Sequence, residues 1–559
     1  MRPFPARVFV ALIVSFLVAG ACTQGSNDAN GRPRREPTAG ADGSEHRWSR
    51  AACSMRVEIV RRIRNGFYPG RMPDVIAVPK EPNYFGGFVG TSHSGPWNYV
   101  QRVPIVFYGP GFIRERGEID IDRDVTVADI APTVAELLDT PFPSARPGRA
   151  VSEALVPPDE RNGKPRLVVV VVWDGGGWNV LEAWPDAWPN LKRLMAEGTS
   201  VANAIVGSSP SNTPPIHTNI GTGAFPNQHG ITDIDIRVGD DVVDSFQGGS
   251  PEHIEIPTLA DLYDRATSNE AEIGMFGSNP WHFGMMSRGA FHAGGDKDIA
   301  VLIAPDGDGI VGSERFYELP SYVNEVGGFD EAVQEVDAED GEIDGLWLGN
   351  DVLDDPFDIK KTPAWSKYQT LVQEEIWRRE GFGADEVPDL FYVNYKAPDL
   401  IGHEWNMLSE EGRSSIVNTD RELGELTRLL DRLAGKKQWV IAITADHGQT
   451  PLPETTDAWP IYMTEVERDI GRRFDVDPKQ LLERTRPGHF WLNQGFAEKE
   501  GITADDVADF FTGYRLGDNV APEREPVPDM YKGRLGERMF SGAFPSDATE
   551  EVWNCVRER

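Results

Sequence analysis

The chain has 559 residues, with 89 acidic against 55 basic side chains and a formal net charge of −34. Such a balance supplies no surface for neutralising phosphates, which excludes docking to nucleic acid and fits a chain kept soluble in an extracellular or salty setting. The length suits one large α/β domain with insertions, and no stretch after residue 25 is long and apolar enough to span a bilayer.

Residues 1–22 read as a targeting segment. Arg2 and Arg7 make a basic start, and Val8–Val18 is an apolar run of signal-peptide length. Ala19-Gly20-Ala21-Cys22 fits ordinary signal cleavage after Ala21, and it also fits a bacterial lipobox with lipid on Cys22. Residues 23–46 are rich in Gly, Asn, Pro and Ser and read as a flexible tether, which favours the lipoprotein. Membrane contact is then expected only through that anchor, on an exported, cell-surface or secreted protein.

After the tether comes Cys53, then His93 in Thr91-Ser-His-Ser-Gly-Pro-Trp97, an apolar run from Val103, and Asp129-Ile-Ala-Pro-Thr133. Residues 151–166 read as a linker. Leu167–Trp173 is an unbroken apolar run ending in Asp174, as in a buried parallel strand. Thr213 lies between Pro210 and the Pro214-Pro215 pair, so its hydroxyl sits on a stiff turn; an ordinary helix-capping threonine would look the same. Residues 233–389, rich in Gly, Asp and Trp, read as a substrate-facing cap. Leu390–Tyr395 is a second strand, followed by Asp399 and His403, whose spacing of four lets both reach one metal from one helical face. Trp439–Ala445 is a third, ending in Asp446-His447, where burying an acid is costly without a partner such as a metal. Open α/β sheets gather ligands just past the carboxyl ends of such strands. His217 and His229 read as packing and loop residues of the Thr213 segment.

Taken together, DGGGWN from Asp174, SNTPPIHTNIGTGAFPNQHGI around Thr213, PDLIGH around Asp399 and TADHG around Asp446 resemble the alkaline phosphatase superfamily. Within it the similarity is to the type I phosphodiesterase/nucleotide pyrophosphatase branch with its threonine nucleophile. The resemblance implies an α/β/α sandwich with a mostly parallel sheet and a metal-dependent phosphoric ester hydrolase holding two Zn2+. One zinc would be bound by Asp174, Thr213, Asp446 and His447, the other by Asp399, His403 and a third histidine. Zinc on Thr213 would make an alkoxide nucleophile and a phosphothreonine intermediate, with the second zinc serving the leaving oxygen and then water. The substrate would be a small-molecule or headgroup phosphoric ester.

In the family the third histidine follows TADHG, in a T-x-H-G block with a strand and a D-x-A-P-T helix after it. Here that block lies near the N-terminus, at His93, so the chain resembles a circular permutant: residues 47–150 correspond to the family's C-terminal part and residues 167–559 to its main part. His93 is then the third ligand and His489 the alternative. Ser94 stands where the family has glycine. Permutation would place the old junction between Cys555 and Cys53, implying a Cys53–Cys555 disulfide in an oxidising compartment.

The choice between diester and monoester rests on finer departures. Monoesterases of the group grip the dianion with Lys-x-Arg and an asparagine; here Arg288 is kept, but Met286 replaces the lysine and Ile234 the asparagine. Asp233 and Asp235 beside Ile234 would repel a dianion more than a singly charged diester, which favours a phosphodiesterase or pyrophosphatase. A sulfatase would need Cys or Ser at Thr213, and a mutase would use Ser without an export signal. A non-catalytic surface binding lipoprotein remains the alternative outside enzymology.

Overall fold

The computed structural model describes residues 46–86, 90–161, 163–286, 288–289, 294–302, 313–520 and 526–559. The expected targeting segment, Cys22 and all but the last residue of the tether lie outside them. The apolar runs form the middle of an eight-stranded sheet. Its order is Ile299–Leu302, Ile273–Gly277, Asp389–Tyr395, Leu167–Trp173, Trp439–Thr444, Ile105–Tyr108, Thr199–Val201 and Gly117–Ile119. Only Ile105–Tyr108 runs against the rest, antiparallel to both of its neighbours.

Leu167–Trp173 is buried at every position because both faces of the sheet are covered. Val168, Val170 and Val172 pack into one apolar layer with residues of the helices Ile130–Leu138, Thr213–Thr222 and Leu259–Thr267. Leu167, Val169, Val171 and Trp173 pack on the other side with residues of Pro363–Glu380, Ala397–Trp405 and Glu410–Leu433. Period-two alternation is therefore hidden in the sequence, and the expected α/β/α sandwich results.

A second, four-stranded antiparallel sheet has the order Leu482–Arg486, His489–Leu492, Val75–Pro79 and Phe540–Pro545. Val75–Pro79 from near the start thus pairs with Phe540–Pro545 from near the end, and Cys53 and Cys555 are joined by a disulfide beside that pairing. Residues 47–559 form one compact unit.

One expectation needs correction. Residues 233–389 are not simply a cap: Ile273–Gly277 and Ile299–Leu302 extend the central sheet, and Leu259–Thr267 and Pro363–Glu380 cover its two faces. Their apolar content is spent on the sheet, where parallel strands bury both faces.

Candidate metal-binding active site

Asp174, Lys396, Asp399, Asp446 and His447 all follow the carboxyl ends of neighbouring parallel strands, so three separated stretches of chain deliver their side chains to one place. Thr213 enters from the side as the first residue of the buried helix Thr213–Thr222, whose next two residues, Pro214 and Pro215, carry no N–H and stiffen the first turn. His93 comes from the loop before Asn98. That loop lies hard against the Ala397–Trp405 helix: Thr91 N–H donates to the Gly402 carbonyl at 2.9 Å, and a Cβ on Gly90 would sit 1.8 Å from the His403 carbonyl. Glycine there permits the approach that brings His93 to Asp399.

Two groups with metal-ligating geometry result, Asp174 with Asp446 and His447, and Asp399 with His93 and His403. Nε2 of His403, His93 and His447 lies 3.4, 3.6 and 4.0 Å from Asp399 Oδ1. His447 Nε2 is also 3.2 Å from Asp446 Oδ2 and 3.7 Å from Asp174 Oδ1. The rings of His93 and His447 stack with centroids 3.6 Å apart.

The other ring nitrogen explains the orientation. Nδ1 of His93 donates to the Ser211 carbonyl at 2.7 Å, that of His403 to the Thr91 carbonyl at 2.8 Å, and that of His447 to the Gly448 carbonyl at 3.0 Å. A carbonyl only accepts, so each bond fixes a proton on Nδ1 and turns Nε2 towards the carboxylates, where it can ligate a metal in its deprotonated form. Asp399 Oδ1, Asp446 Oδ2 and His447 Nε2 are buried without hydrogen-bond partners. Convergent, orphaned N and O donors of this kind fit borderline divalent cations such as zinc.

Sequence reasoning passed over Lys396. Its Nζ lies 2.8 Å from Asp174 Oδ1 and 2.7 Å from Asp399 Oδ2, and it donates to Thr213 Oγ1 at 3.1 Å. Burial opposes its charge, but Asp174, Asp399 and Asp446 hold the ammonium above its ordinary range. In return, Lys396 and the surrounding histidines outweigh burial and keep Asp174 and Asp399 well below the usual carboxylate range. His447 is likewise lifted to about 9, because Asp446, Asp399 and Asp174 outweigh its burial.

His217, expected to be a packing residue, stands behind the cluster. Its Nδ1 donates to the Thr213 carbonyl at 2.9 Å, Asn394 Nδ2 donates to its Nε2 at 3.0 Å, and Asp174 and His282 complete a third potential ligand group with it. Burial, and then each other's presence or the nearby lysines, lower His217 and His282 to about 4 despite Asp174.

His229 is a buried residue of the Thr213 segment, with its Nε2 on the Asn219 side chain. His489 is not beside Asp399; its Nδ1 meets Asp233 Oδ2 at 2.7 Å. Asp233 Oδ1 in turn accepts from Asn212 Nδ2 at 2.6 Å, while Ser94 Oγ donates to Asn212 Oδ1 at 2.8 Å. Ser94 thus helps to clamp the residue before Thr213. Asp235 is paired with Arg486 at 2.5 Å and lies 3.7 Å from Arg484. Both acids are therefore already engaged, and the arginines beside Asp235 offset its charge, which weakens the repulsion reasoned from their position next to Ile234. Met286 is part of the apolar core, and Arg288 is buried with its Nε on Asp261 at 3.0 Å and its Nη1 on the Ile254 carbonyl at 3.4 Å. Arg288 is thus held in a structural ion pair.

Among known proteins, the chain is 25% identical over 348 residues to a protein of Myroides odoratus named calcium-transporting ATPase, covering 53% of this chain and 62% of that one. It is 24% identical to alkaline phosphatase PhoV of Synechococcus elongatus (52% and 60% covered) and 24% identical to alkaline phosphatase PafA of Elizabethkingia meningoseptica (51% and 60%). The chain thus spans about 60% of the length of these curated relatives. The crystal structure of wild-type alkaline phosphatase PafA superposes with a TM-score of 0.51 at 18% identity, over 68% of this chain and 84% of that one, which shows a shared fold. The model of the type I phosphodiesterase/nucleotide pyrophosphatase family matches residues 168–512, starting at the central strand and taking in Asp174, Thr213, Asp399, His403, Asp446 and His447. The chain belongs to that family, within the alkaline phosphatase superfamily.

Proposed function

We propose that this protein is an exported, zinc-dependent phosphoric ester hydrolase that works through a phosphothreonine on Thr213. The observation that carries the reading is the convergence of Asp174, Asp446 and His447 and of Asp399, His93 and His403 around the Thr213 hydroxyl, with three histidines presenting Nε2 inward. Asp174, Thr213, Asp446 and His447 would hold one Zn2+, and Asp399, His403 and His93 the other. When bound, the ions would lower the pKa of the Thr213 hydroxyl and offset charge on the ester oxygens.

The chain's own groups supply the rest. Thr213 Oγ1, its proton lost to solvent, attacks phosphorus as the bond to the ester oxygen breaks, that oxygen taking a proton from water. Water then adds to phosphorus, breaking the Oγ1–P bond and restoring the Thr213 hydroxyl. Lys396, donating to Thr213 Oγ1, offsets negative charge there. Asn212, held by Asp233 and Ser94, fixes the turn that carries the nucleophile.

A diester or pyrophosphate substrate is favoured by Met286, whose burial removes the lysine of the monoesterase grip, and by the Arg288 ion pair with Asp261. A phosphomonoesterase is the second reading, favoured by the pairing of Asp235 with Arg486. Assaying the zinc-loaded protein on bis-(p-nitrophenyl) phosphate, p-nitrophenyl phosphate and p-nitrophenyl sulfate separates them. Turnover of none of the three would leave a binding protein.

We also read the chain as a circular permutant. Three facts support this: the family match begins at residue 168, Ile105–Tyr108 pairs with Trp439–Thr444, and a disulfide joins Cys53 to Cys555. Residues 47–150 then belong to the catalytic domain although they precede its first family motif, and residues 151–166 are the new connection. Export and a lipid on Cys22 rest on the leader sequence, and no helix among the described residues is long and apolar enough to cross a membrane. Mass spectrometry of the mature N-terminus tests the lipid.

A further inference from the structure

Beside the amino end of the sheet's edge strand lies a second set of acids. Asp298 immediately precedes the edge strand Ile299–Leu302, Asp296 is two residues earlier, and Asp264 projects from the helix Leu259–Thr267. One oxygen from each lies within 4.8 Å of the others. Asp264 is 1% exposed and Asp298 5%, whereas Asp296 is at the surface. Neither carboxylate oxygen of Asp264 has a hydrogen-bond partner, although its helix neighbour Asp261 is fully used by Thr258 and Arg288.

A buried, unpartnered carboxylate is costly, and one facing two further carboxylates more so. Burial, then Asp296 and Asp261, push Asp264 up to about 8; burial, then Asp264 and Asp296, hold Asp298 well above the carboxylate range. The opposing charge that acts on Asp264 is that of Arg265, whose Nε donates to the Asp261 carbonyl. Lys297, between the two loop acids, points instead to the Glu314 carbonyl. All three offer hard oxygen donors.

We propose that Asp264, Asp296 and Asp298 form a calcium site, independent of the catalytic cluster, that fastens the helix Leu259–Thr267 to the loop entering the edge strand. The donors are oxygen only, without the histidines of the catalytic groups, which selects a hard cation over zinc. One ligand at the surface and two buried leave an entry path, and the irregular loop suits the flexible coordination of calcium better than the strict octahedron of magnesium. The helix so fastened also carries Asp261, which orients Arg288.

The test uses the full-length, zinc-loaded protein in calcium-free buffer, with Tb3+ and Ca2+ as probes. Tyr392 and Tyr317 are close enough to Asp298 to feel its charge and can sensitise terbium emission. Saturable emission, displaced by Ca2+, is expected, together with a Ca2+-dependent rise in Tm. Both should vanish in Asp264→Asn, and the affinity should fall at least about tenfold in the surface variant Asp296→Asn, which decides the matter if the buried variant does not fold. Asp446→Ala should keep the emission. The proposal is overturned if millimolar Ca2+ shifts neither Tm nor emission, if Asp296→Asn binds as the wild type does, or if the signal is lost in Asp446→Ala and kept in Asp264→Asn.

Discussion

Replacing Cys53 and Cys555 by serine should cost this protein more stability than any single contact at the same place. The bridge spans a sequence separation of 502 residues. Loop-closure entropy for a loop of that size amounts to about 6 kcal/mol at 25 °C in the chain-entropy relation, although measured effects rarely exceed about 5 kcal/mol. The other ties between the two ends are weak by comparison. Arg64 meets Glu550 at 2.6 Å, but their side chains are 40% and 55% exposed, which limits the pair to about 1 kcal/mol or less. Val552 and Val556 bury apolar surface against the first helices in both forms of the protein. At about 2 cal/mol/K of unfolding entropy per residue, some 500 folded residues convert 5–6 kcal/mol into a fall of about 5 °C in Tm. Calorimetry of the wild type and of the double Cys53→Ser/Cys555→Ser variant, both without reductant, measures it. Equal Tm values within about 1 °C would refute the reasoning, because the ends would then be held together in the unfolded ensemble by something other than the bridge. Helix Thr549–Arg557 should also gain the larger share of any increase in hydrogen exchange, since it is the element that the bridge anchors.

Thr213→Ala should retain bound zinc while losing about 1000-fold or more in turnover, measured by metal analysis and a diester assay on one preparation. Lys396→Met should fold and still bind metal but lose about 100-fold in kcat, the usual scale for removing one charge-stabilising donor; unchanged kcat would make Lys396 a mere counter-ion of Asp174 and Asp399. Asp446→Ala should lose both metal and activity, and a fully active variant would remove Asp446 from the site. For Glu422, burial raises the carboxyl to about 7, so its protonated form is favoured in the folded chain. The wild type should therefore lose stability relative to Glu422→Gln as pH rises from about 4.5 to 7, with no difference below that window, as thermal melts at pH 4 and pH 8 would show.

Much of the site was legible because its chemistry is tied to strand ends. Leu167–Trp173 and Trp439–Thr444 are apolar throughout since both faces of the sheet are buried, and a charged residue directly after such a run needs a partner whatever the rest of the fold does. The disulfide could be anticipated from the resemblance to a permuted family member, which implies that Cys53 and Cys555 flank the old junction. Lys396 was not legible: one residue past a strand, a lysine looks like a solvated one, and its role exists only where Asp174, Asp399 and Thr213 meet from three separate stretches of chain. The same holds for Asp233 and Asp235, whose local sequence suggests a repulsive pair while His489 hydrogen-bonds Asp233 and Arg484 and Arg486 pair with Asp235 from some 250 residues away. Residues 233–389 misled for a related reason, because short strands at a sheet edge carry too few residues to stand out from loops until the sheet they join is known. Local pattern therefore determined which residues had to be buried and which motifs carried donors. The pairing of distant charges was decided only by the tertiary structure, since electrostatic partners are set by distance in space and the chain path between them leaves no mark on the sequence.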